Sequence, residues 1–188
     1  MNTDSIQLIQ DEHGTHWVAA HIRLQLTREG ARVPTYAHGP QLDNGVDLYA
    51  AEDVIVAPGE TAVVPLGFKL ALPPGYGLFV LPRSGLSLKT TLRVANGPGL
   101  IDHGFREEAG VIVWNTASRD NPLAGPGAVR PPLKISKGDR IAQAVLIHTP
   151  VMQFSVVDDL GETERGAGFG SSGVNDVEAG GSIRGEQQ

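Results

Sequence analysis

Short apolar runs separated by glycine- and proline-containing turns dominate the chain between residues 22 and 147. Residues 22–26 alternate strictly between apolar and polar side chains, which is typical of a half-buried strand. Further strands are predicted where β-branched and other apolar residues lie between turns, at residues 46–50, 54–56, 61–64, 68–72, 78–81, 111–114 and 140–147. Strands this short, with turns this frequent, predict an all-β antiparallel sandwich or jelly roll.

The strand pattern stops at residues 82–89. Pro82 ends a strand, Ser84 is a good helix N-cap, and residues 86–89 predict one or two helical turns. Free backbone N–H groups at a helix start, beside the Arg83 guanidinium and the Ser84 hydroxyl, could bind a phosphate group. The alternative is an ordinary capped turn with a surface arginine.

Residues 96–105 combine turn-forming glycine and proline with one acid and one aromatic residue. We expect a tight hairpin that holds Asp102 and Phe105 three residues apart, so that both can face one small ligand. The carboxylate can accept a proton from water, and the ring can stack on a flat or sugar face. The alternative is a solvated turn aspartate beside a core phenylalanine.

Two polar residues interrupt apolar strands. Asp47 has apolar neighbours, so its carboxylate needs either a structural hydrogen-bond partner or a place in the outer shell of a bound cation. Gln143 either pairs with a buried polar group or contacts a ligand. Asp139 and Arg140 are interpreted as a structural pair or a sheet-edge device rather than as catalysts.

We expect three segments: an N-terminal extension at 1–20, a β domain at 21–160, and a flexible C-terminal arm at 161–188. The arm is rich in glycine around Arg165, Phe169 and Ser171, which suits a flap that closes over a phosphate and a base. The alternative is a disordered tail. The loop at 116–132 is interpreted as a solvent-facing insertion.

Composition narrows the classes of function. The chain has 188 residues, no cysteine and a net charge of −6, which excludes disulfides and argues against broad nucleic-acid binding. No apolar run is long enough to span a membrane, and no secretion signal is evident. We therefore expect a cytoplasmic protein with no membrane or nucleic-acid partner.

Five segments, taken in order, resemble the five motifs of the homotrimeric dUTPase family. They are residues 45–48, 82–86, 99–105, 138–143 and 165–173. The resemblance covers about residues 22–173 and implies a jelly-roll homotrimer whose three active sites each draw on all three chains. It implies Mg²⁺-assisted hydrolysis of dUTP to dUMP and pyrophosphate, which limits uracil in DNA and supplies dUMP for thymidylate synthesis.

The resemblance also implies roles for residues around the sugar and base. Backbone groups of the stretch that holds Asn96, Gly99 and Ile101 would read uracil. Asp102 would hold the 3′-hydroxyl and activate water. Phe105, where the family commonly has tyrosine, would stack under the deoxyribose and crowd out a 2′-hydroxyl.

Further roles concern the triphosphate. Residues of a neighbouring chain would hold it, and Asp47 would contact the magnesium shell through water while the phosphates hold the ion. The arm of the third chain would close the site, with Phe169 over uracil and Arg165 as a second catalytic group. The remaining substrate-binding residues would be Arg83, Ser84, Gly85, Gln143, Gly170 and Ser171.

Two alternative functions would require different residues from those present. A related dCTP deaminase would place a catalytic glutamate in the strand that follows Asp102, but residues 111–114 contain no acid. A non-catalytic jelly-roll regulatory protein would not need Asp102, Arg83 and the Arg165 arm together.

Overall fold

The structure, a computed structural model, describes residues 6–10, 14, 16–117 and 131–161, with the backbone alone for 6–10 and 16–18. Within these residues the chain forms thirteen β-strands and one short helix. They are β1 (Ile6–Gln10), β2 (His16–Ala20), β3 (Arg23–Leu26), β4 (Val46–Tyr49), β5 (Val54–Val56), β6 (Thr61–Pro65), β7 (Phe68–Ala71), β8 (Tyr76–Leu81), α1 (Ser84–Lys89), β9 (Leu92–Val94), β10 (Gly99–Asp102), β11 (Gly110–Asn115), β12 (Leu133–Ile135) and β13 (Arg140–His148). The predicted all-β jelly-roll class with one short helix is confirmed.

The chain divides into two units, residues 1–151 and 152–188. Every strand and the helix lie in the first unit. In the second unit, the described residues 152–161 form no helix or strand. The segment limits expected at residues 20 and 160 stay predictions. The one described helix has six residues and is far too short to cross a lipid bilayer.

Two antiparallel sheets carry most of the first unit. One has the strand order β10-β8-β13-β4, and the other has the order β6-β11-β9. The pairs β12–β5, β3–β7 and β1–β2 form smaller sheets. Non-consecutive strands lie side by side in both larger sheets, so residues distant in sequence meet at the sheet edges.

Alternation in β11 shows how the sequence forms this core. Val111 and Val113 are buried, whereas Ile112 and Trp114, which alternate with them along the strand, are exposed. Asn115 is fully buried at the end of the strand, and its amide nitrogen donates to the Val56 carbonyl over 3.0 Å. Burying this polar side chain is tolerated because its oxygen also accepts bonds from neighbouring groups.

Three local expectations differ from the structure. The N-terminal extension contains a β1–β2 hairpin, which its weak periodicity did not indicate. The helix begins at Ser84, so its N-cap is Arg83, and no side chain caps it. The stretch at 96–105 does not form the expected hairpin: residues 95–98 link β9 to β10, but β9 pairs with β11 and β10 pairs with β8. The local sequence therefore predicted the turn correctly, but β9 and β10 form their hydrogen bonds with strands that are distant in the sequence.

Candidate functional site: a cleft beside Asp102 and a carboxylate–arginine cluster

A cleft opens between β10 and the start of β11. Strand β10 is fixed along one side because it pairs with β8, with Gly99 opposite Val80 and Asp102 opposite Gly77. Five residues singled out from the sequence line the cleft: Asn96, Gly99, Ile101, Asp102 and Phe105. The structure thus brings the central predicted group together on one wall, although their roles toward a ligand stay predictions.

The turn that follows β10 orients Asp102 and Phe105. The Phe105 N–H donates to the Asp102 carbonyl over 3.0 Å, which closes a tight turn. Arg106 secures the same turn, because its Nη1 donates to the carbonyls of His103 and Phe105 over 2.7 and 2.6 Å. The Asp102 carboxylate is exposed, and no side chain among the described residues forms a hydrogen bond or an ion pair with it. It is therefore free to hold water or a hydroxyl.

Gly99 allows a close approach at the base of the cleft. A Cβ atom there would lie 3.2 Å from Nδ2 of Asn96 and 3.5 Å from the Cβ of Val80. A larger residue would push the Asn96 side chain away from the wall. Close packing therefore favours glycine at this position, in addition to the role of glycine in turns.

A second group of predicted residues surrounds Asp47 on β4. The Arg83 Nε donates to Oδ1 of Asp47 over 2.8 Å, and the Arg140 Nη1 donates to Oδ2 over 3.1 Å. The Asp47 side chain is only 9% exposed, so this pairing offsets the cost of burying its charge. Of the two fates expected for Asp47, the structure shows the structural hydrogen-bond partner.

Asp139 and Arg140 do not pair with each other, contrary to one expectation. The Asp139 carboxylate accepts the backbone N–H of Ser136 over 2.8 Å and thereby closes its own turn. A register shift between Arg140 and Ala142 interrupts the pairing of β13 with β4, and the Arg140 side chain reaches Asp47 there. The partner of Arg140 is therefore a residue on another strand.

Gln143 joins the same cluster from the middle of β13. It lies opposite Asp47 in the sheet, and its Nε2 donates to the Pro82 carbonyl over 3.0 Å. Ser84 and Gly85 follow in the first turn of α1 and are exposed; a Cβ atom at Gly85 would meet no atom within 4 Å. The cluster thus borders an open surface at the start of the helix.

These residues do not line the Asp102 cleft. The described chain therefore presents two separate half-sites, one with a carboxylate and a ring and one with two arginines. The arginine cluster carries one carboxylate against two guanidinium groups, and this net positive charge suits phosphate oxygens.

The side chains present also limit how a metal ion could be bound. Among the described residues no group of three or more His, Asp or Glu side chains could hold one. Both oxygens of Asp47 already accept guanidinium hydrogen bonds. The described residues consequently fit a magnesium ion only where phosphate oxygens and water supply its ligands, which is the coordination that this ion prefers.

The four candidate residues of the arm, Arg165, Phe169, Gly170 and Ser171, lie outside the described residues. So does most of the predicted loop insertion, residues 118–130.

Sequence reasoning did not single out part of the cleft. Its remaining wall consists of Val80, Leu100, Ala109, Gly110, Val111 and Ile112. These residues read as ordinary strand positions, and only the pairing of β10 with β8 and the packing of β11 bring them to the cleft. At Gly110 a Cβ would lie 2.8 Å from the Val63 side chain, but this packing reason for glycine is visible only in the structure.

Comparison with known proteins gives a consistent family. The dUTPase family model matches residues 31–173. The deoxyuridine 5′-triphosphate nucleotidohydrolase of Leifsonia xyli subsp. xyli is 45% identical over 150 residues, which cover 79% of this chain and 90% of that protein. The enzyme of the same name from Thermobifida fusca is 45% identical over 142 residues, covering 75% and 72%.

Comparison with solved structures points to the same family. The dUTPase of Staphylococcus bacteriophage 80alpha with dUpNHpp superposes with a TM-score of 0.71 at 29% identity, covering 82% of this chain and 99% of that chain. A mutant dUTPase from phage phi11 of S. aureus, whose structure concerns the coordination of a structural Mg(II) ion, gives 0.64 at 27% identity, covering 74% and 98%. The family match spans well over half of the chain, and the curated relatives match it along most of their length. This chain belongs to the dUTPase family.

Proposed function

We propose that this protein hydrolyses dUTP to dUMP and pyrophosphate, by attack of water on the α-phosphorus. Its membership of the dUTPase family is the observation that carries the proposal. The exposed Asp102 carboxylate beside the Phe105 ring supports it, because the pair offers a proton acceptor next to a surface for a sugar. The reaction would limit uracil in DNA and supply dUMP for thymidylate synthesis.

Asp102 accepts the proton of the attacking water and holds the 3′-hydroxyl of the sugar. Backbone groups around Asn96, Gly99 and Ile101 bind the uracil edge. Phe105 packs against the deoxyribose and leaves no room for a 2′-hydroxyl. Each of these residues lines the same cleft, so one nucleoside can reach them all.

Arg83, Ser84, Gly85 and Gln143 of a neighbouring chain hold the triphosphate. Arg83 is suited to this role because Asp47 fixes its guanidinium through Nε and the Arg140 carbonyl accepts from Nη1, which leaves Nη2 for a phosphate oxygen. Magnesium, when bound to the triphosphate oxygens, supplies positive charge that stabilises the leaving pyrophosphate. Each Asp47 oxygen keeps a second lone pair beyond its arginine bond, so the carboxylate could also accept a hydrogen bond from a water of that ion. Arg165, Phe169, Gly170 and Ser171 of the arm cover the nucleotide.

A homotrimer is the assembly that this proposal requires, and two features support it. The Asp102 cleft has a volume of about 190 Å³, below the roughly 300–1,000 Å³ typical of complete small-molecule sites. The outer face of the β6–β11 sheet also exposes Val63, Ile112 and Trp114, with Ile112 directly opposite Val63. An exposed apolar strip on a strand pair suits contact with further copies of the chain.

The test is product analysis after incubation with dUTP, dCTP or UTP in the presence of Mg²⁺. We expect dUMP and pyrophosphate from dUTP and little product from the other two nucleotides. Asp102→Asn is the matched control, since an amide of the same shape cannot accept the proton; turnover should fall about 10²–10⁴-fold. Deamination of dCTP, or no reaction of dUTP, would contradict the proposal.

A further inference from the structure

The segment between β10 and β11 carries Phe105 but belongs to no strand. Residues 103–107 are exposed, and the turn they form is closed mainly by its own hydrogen bonds. Such a turn keeps its shape internally, yet its position over the cleft depends on how its ends are attached. At its N-terminal end the turn is continuous with β10, which ends at Asp102.

At its C-terminal end, Glu108 and Ala109 attach the turn to neighbouring parts of the fold. The Ala109 N–H donates to the Phe68 carbonyl over 2.9 Å, and its carbonyl accepts the Leu66 N–H at the same distance. Glu108 adds the side-chain contacts: Oε2 accepts the Thr27 hydroxyl over 2.6 Å, and Oε1 accepts the Arg28 Nε over 2.7 Å. One carboxylate thus joins the Phe105 segment to the end of β3.

The two partners of Glu108 are themselves held in place. The Thr27 N–H donates to the Gly67 carbonyl over 2.8 Å. The Arg28 Nη1 donates to Oε2 of Glu52 over 2.5 Å. The carboxylate therefore receives a hydroxyl on one oxygen and a charged guanidinium on the other, and the backbone bond of Thr27 fixes the first of these partners.

Neighbouring Glu107 offers a natural contrast. Its carboxylate lies 3.4 Å from the Lys69 Nζ, and its side chain is 81% exposed, against 25% for Glu108. An ion pair this exposed contributes little. The pKa of Glu108 is lowered chiefly by the Thr27 hydroxyl and further by Arg28, which agrees with a carboxylate held in its charged form.

We propose that Glu108 is a positioning residue that fixes the Phe105 ring over the cleft through Thr27 and Arg28, and so sets the preference for dUTP over UTP. This inference rests on the proposed function. Phe105 lies three residues before Glu108 in the same unpaired segment, so release of the carboxylate lets the ring move away from the sugar. A displacement of about 1 Å in such a group costs up to about a hundredfold in rate.

The kinetic test compares Glu108→Ala and Glu108→Gln with Glu107→Gln, which makes the same charge change one residue away. We expect the ratio of kcat/KM for dUTP to that for UTP to fall about tenfold or more in Glu108→Ala. The loss should appear mainly as a higher KM for dUTP, because Asp102 is unchanged. Glu107→Gln should match the wild type. An unchanged ratio in both Glu108 variants would overturn the proposal.

A measurement without substrate separates this inference from the proposed function. Amide hydrogen exchange of residues 103–107 should be faster in the Glu108 variants than in wild type or Glu107→Gln, while exchange in β8 and β13 stays the same. If Glu108→Ala does not fold, Glu108→Gln carries both tests. Unchanged exchange of the turn in the Glu108 variants would refute the anchor. Faster exchange in those variants, together with a wild-type protein that does not hydrolyse dUTP, would refute only the dUTP assignment.

Discussion

The Nε atom of Arg83, just beyond the end of β8, donates to Oδ1 of Asp47 on β4 over 2.8 Å. The two residues are 36 positions apart in the sequence. Strand β13 lies between β4 and β8 in the sheet, and its first residue, Arg140, donates to the other oxygen of Asp47. One carboxylate therefore orients two arginines at the border of the proposed phosphate site.

Replacement of this carboxylate should destabilise the protein. Asp47→Asn keeps the size of the side chain but leaves two guanidinium groups facing a neutral amide, one of whose atoms is a donor. We expect the free energy of unfolding to fall by about 1–3 kcal/mol, measured by urea denaturation. Asp139→Asn is the control, because that exposed carboxylate serves only its own turn. Equal losses of unfolding free energy in the two variants would show that the Asp47–arginine cluster stabilises the protein no more than the Asp139 turn does.

Loss of the ring at Phe105 should weaken sugar selection. Phe105→Ala opens space beside the predicted sugar position, so UTP should be accepted more readily relative to dUTP. A contact of this apolar kind is worth about 1–3 kcal/mol in discrimination, or roughly 10–200-fold in relative kcat/KM. Steady-state kinetics with both nucleotides provide the measurement, and an unaltered ratio would rule out the proposed role of the ring.

Subunit mixing tests whether the site is shared between chains. Asp102→Asn and a variant truncated before Arg165 should each be inactive, and unfolding and refolding them together allows their subunits to exchange. In a cyclic trimer each mixed assembly has one site with both an intact Asp102 and an intact arm. Equal mixing should therefore restore about a quarter of wild-type activity, because about three quarters of trimers are mixed and one site in three is whole.

Light scattering supplies the control for that experiment by showing that the refolded mixture is trimeric. A trimeric mixture as inactive as its two parents would mean that each chain closes its own site. That outcome would leave the hydrolase assignment unaffected.

Acid should remove the contribution of Glu108 to stability. The Thr27 hydroxyl, and then Arg28, lower its pKa in the folded protein below the ordinary value of 4.5. A lowered folded-state pKa means that the stabilisation is complete above the unfolded-state value and is lost as the pH falls through the folded-state value. The difference in unfolding free energy between wild type and Glu108→Gln should be constant near neutral pH and shrink below about pH 4.

Urea titrations at several pH values measure this difference directly. Other carboxylates with lowered pKa, such as Asp53, titrate in both proteins and cancel in the comparison. A difference that stays constant down to pH 3 would show that the charge of Glu108 is not what Thr27 and Arg28 recognise.

Local sequence alone determined most strands and the helix. The run at 54–56 became β5 with the same limits, and the pattern at 140–147 became all but the last residue of β13. These predictions succeeded because side-chain alternation, β-branched residues and turn-forming glycine and proline act over a few residues. The β9 and β12 strands were not predicted, because each has a charged residue, Arg93 or Lys134, between only two apolar positions, whereas the equally short β5 consists of three β-branched residues.

The sequence also singled out candidate residues for the chemistry, including Asp102, Phe105 and Asp47, because acids and rings in apolar or turn-rich surroundings are unusual. It left open what each one touches. Only the tertiary structure decided that Asp47 binds Arg83 and Arg140, that Asp139 serves its own turn, and that β9 and β10, on either side of the turn at 95–98, pair with other strands. The physical reason is that strand pairing joins residues separated by tens of positions, and a local pattern sets which face of a strand is buried without naming the strand beside it.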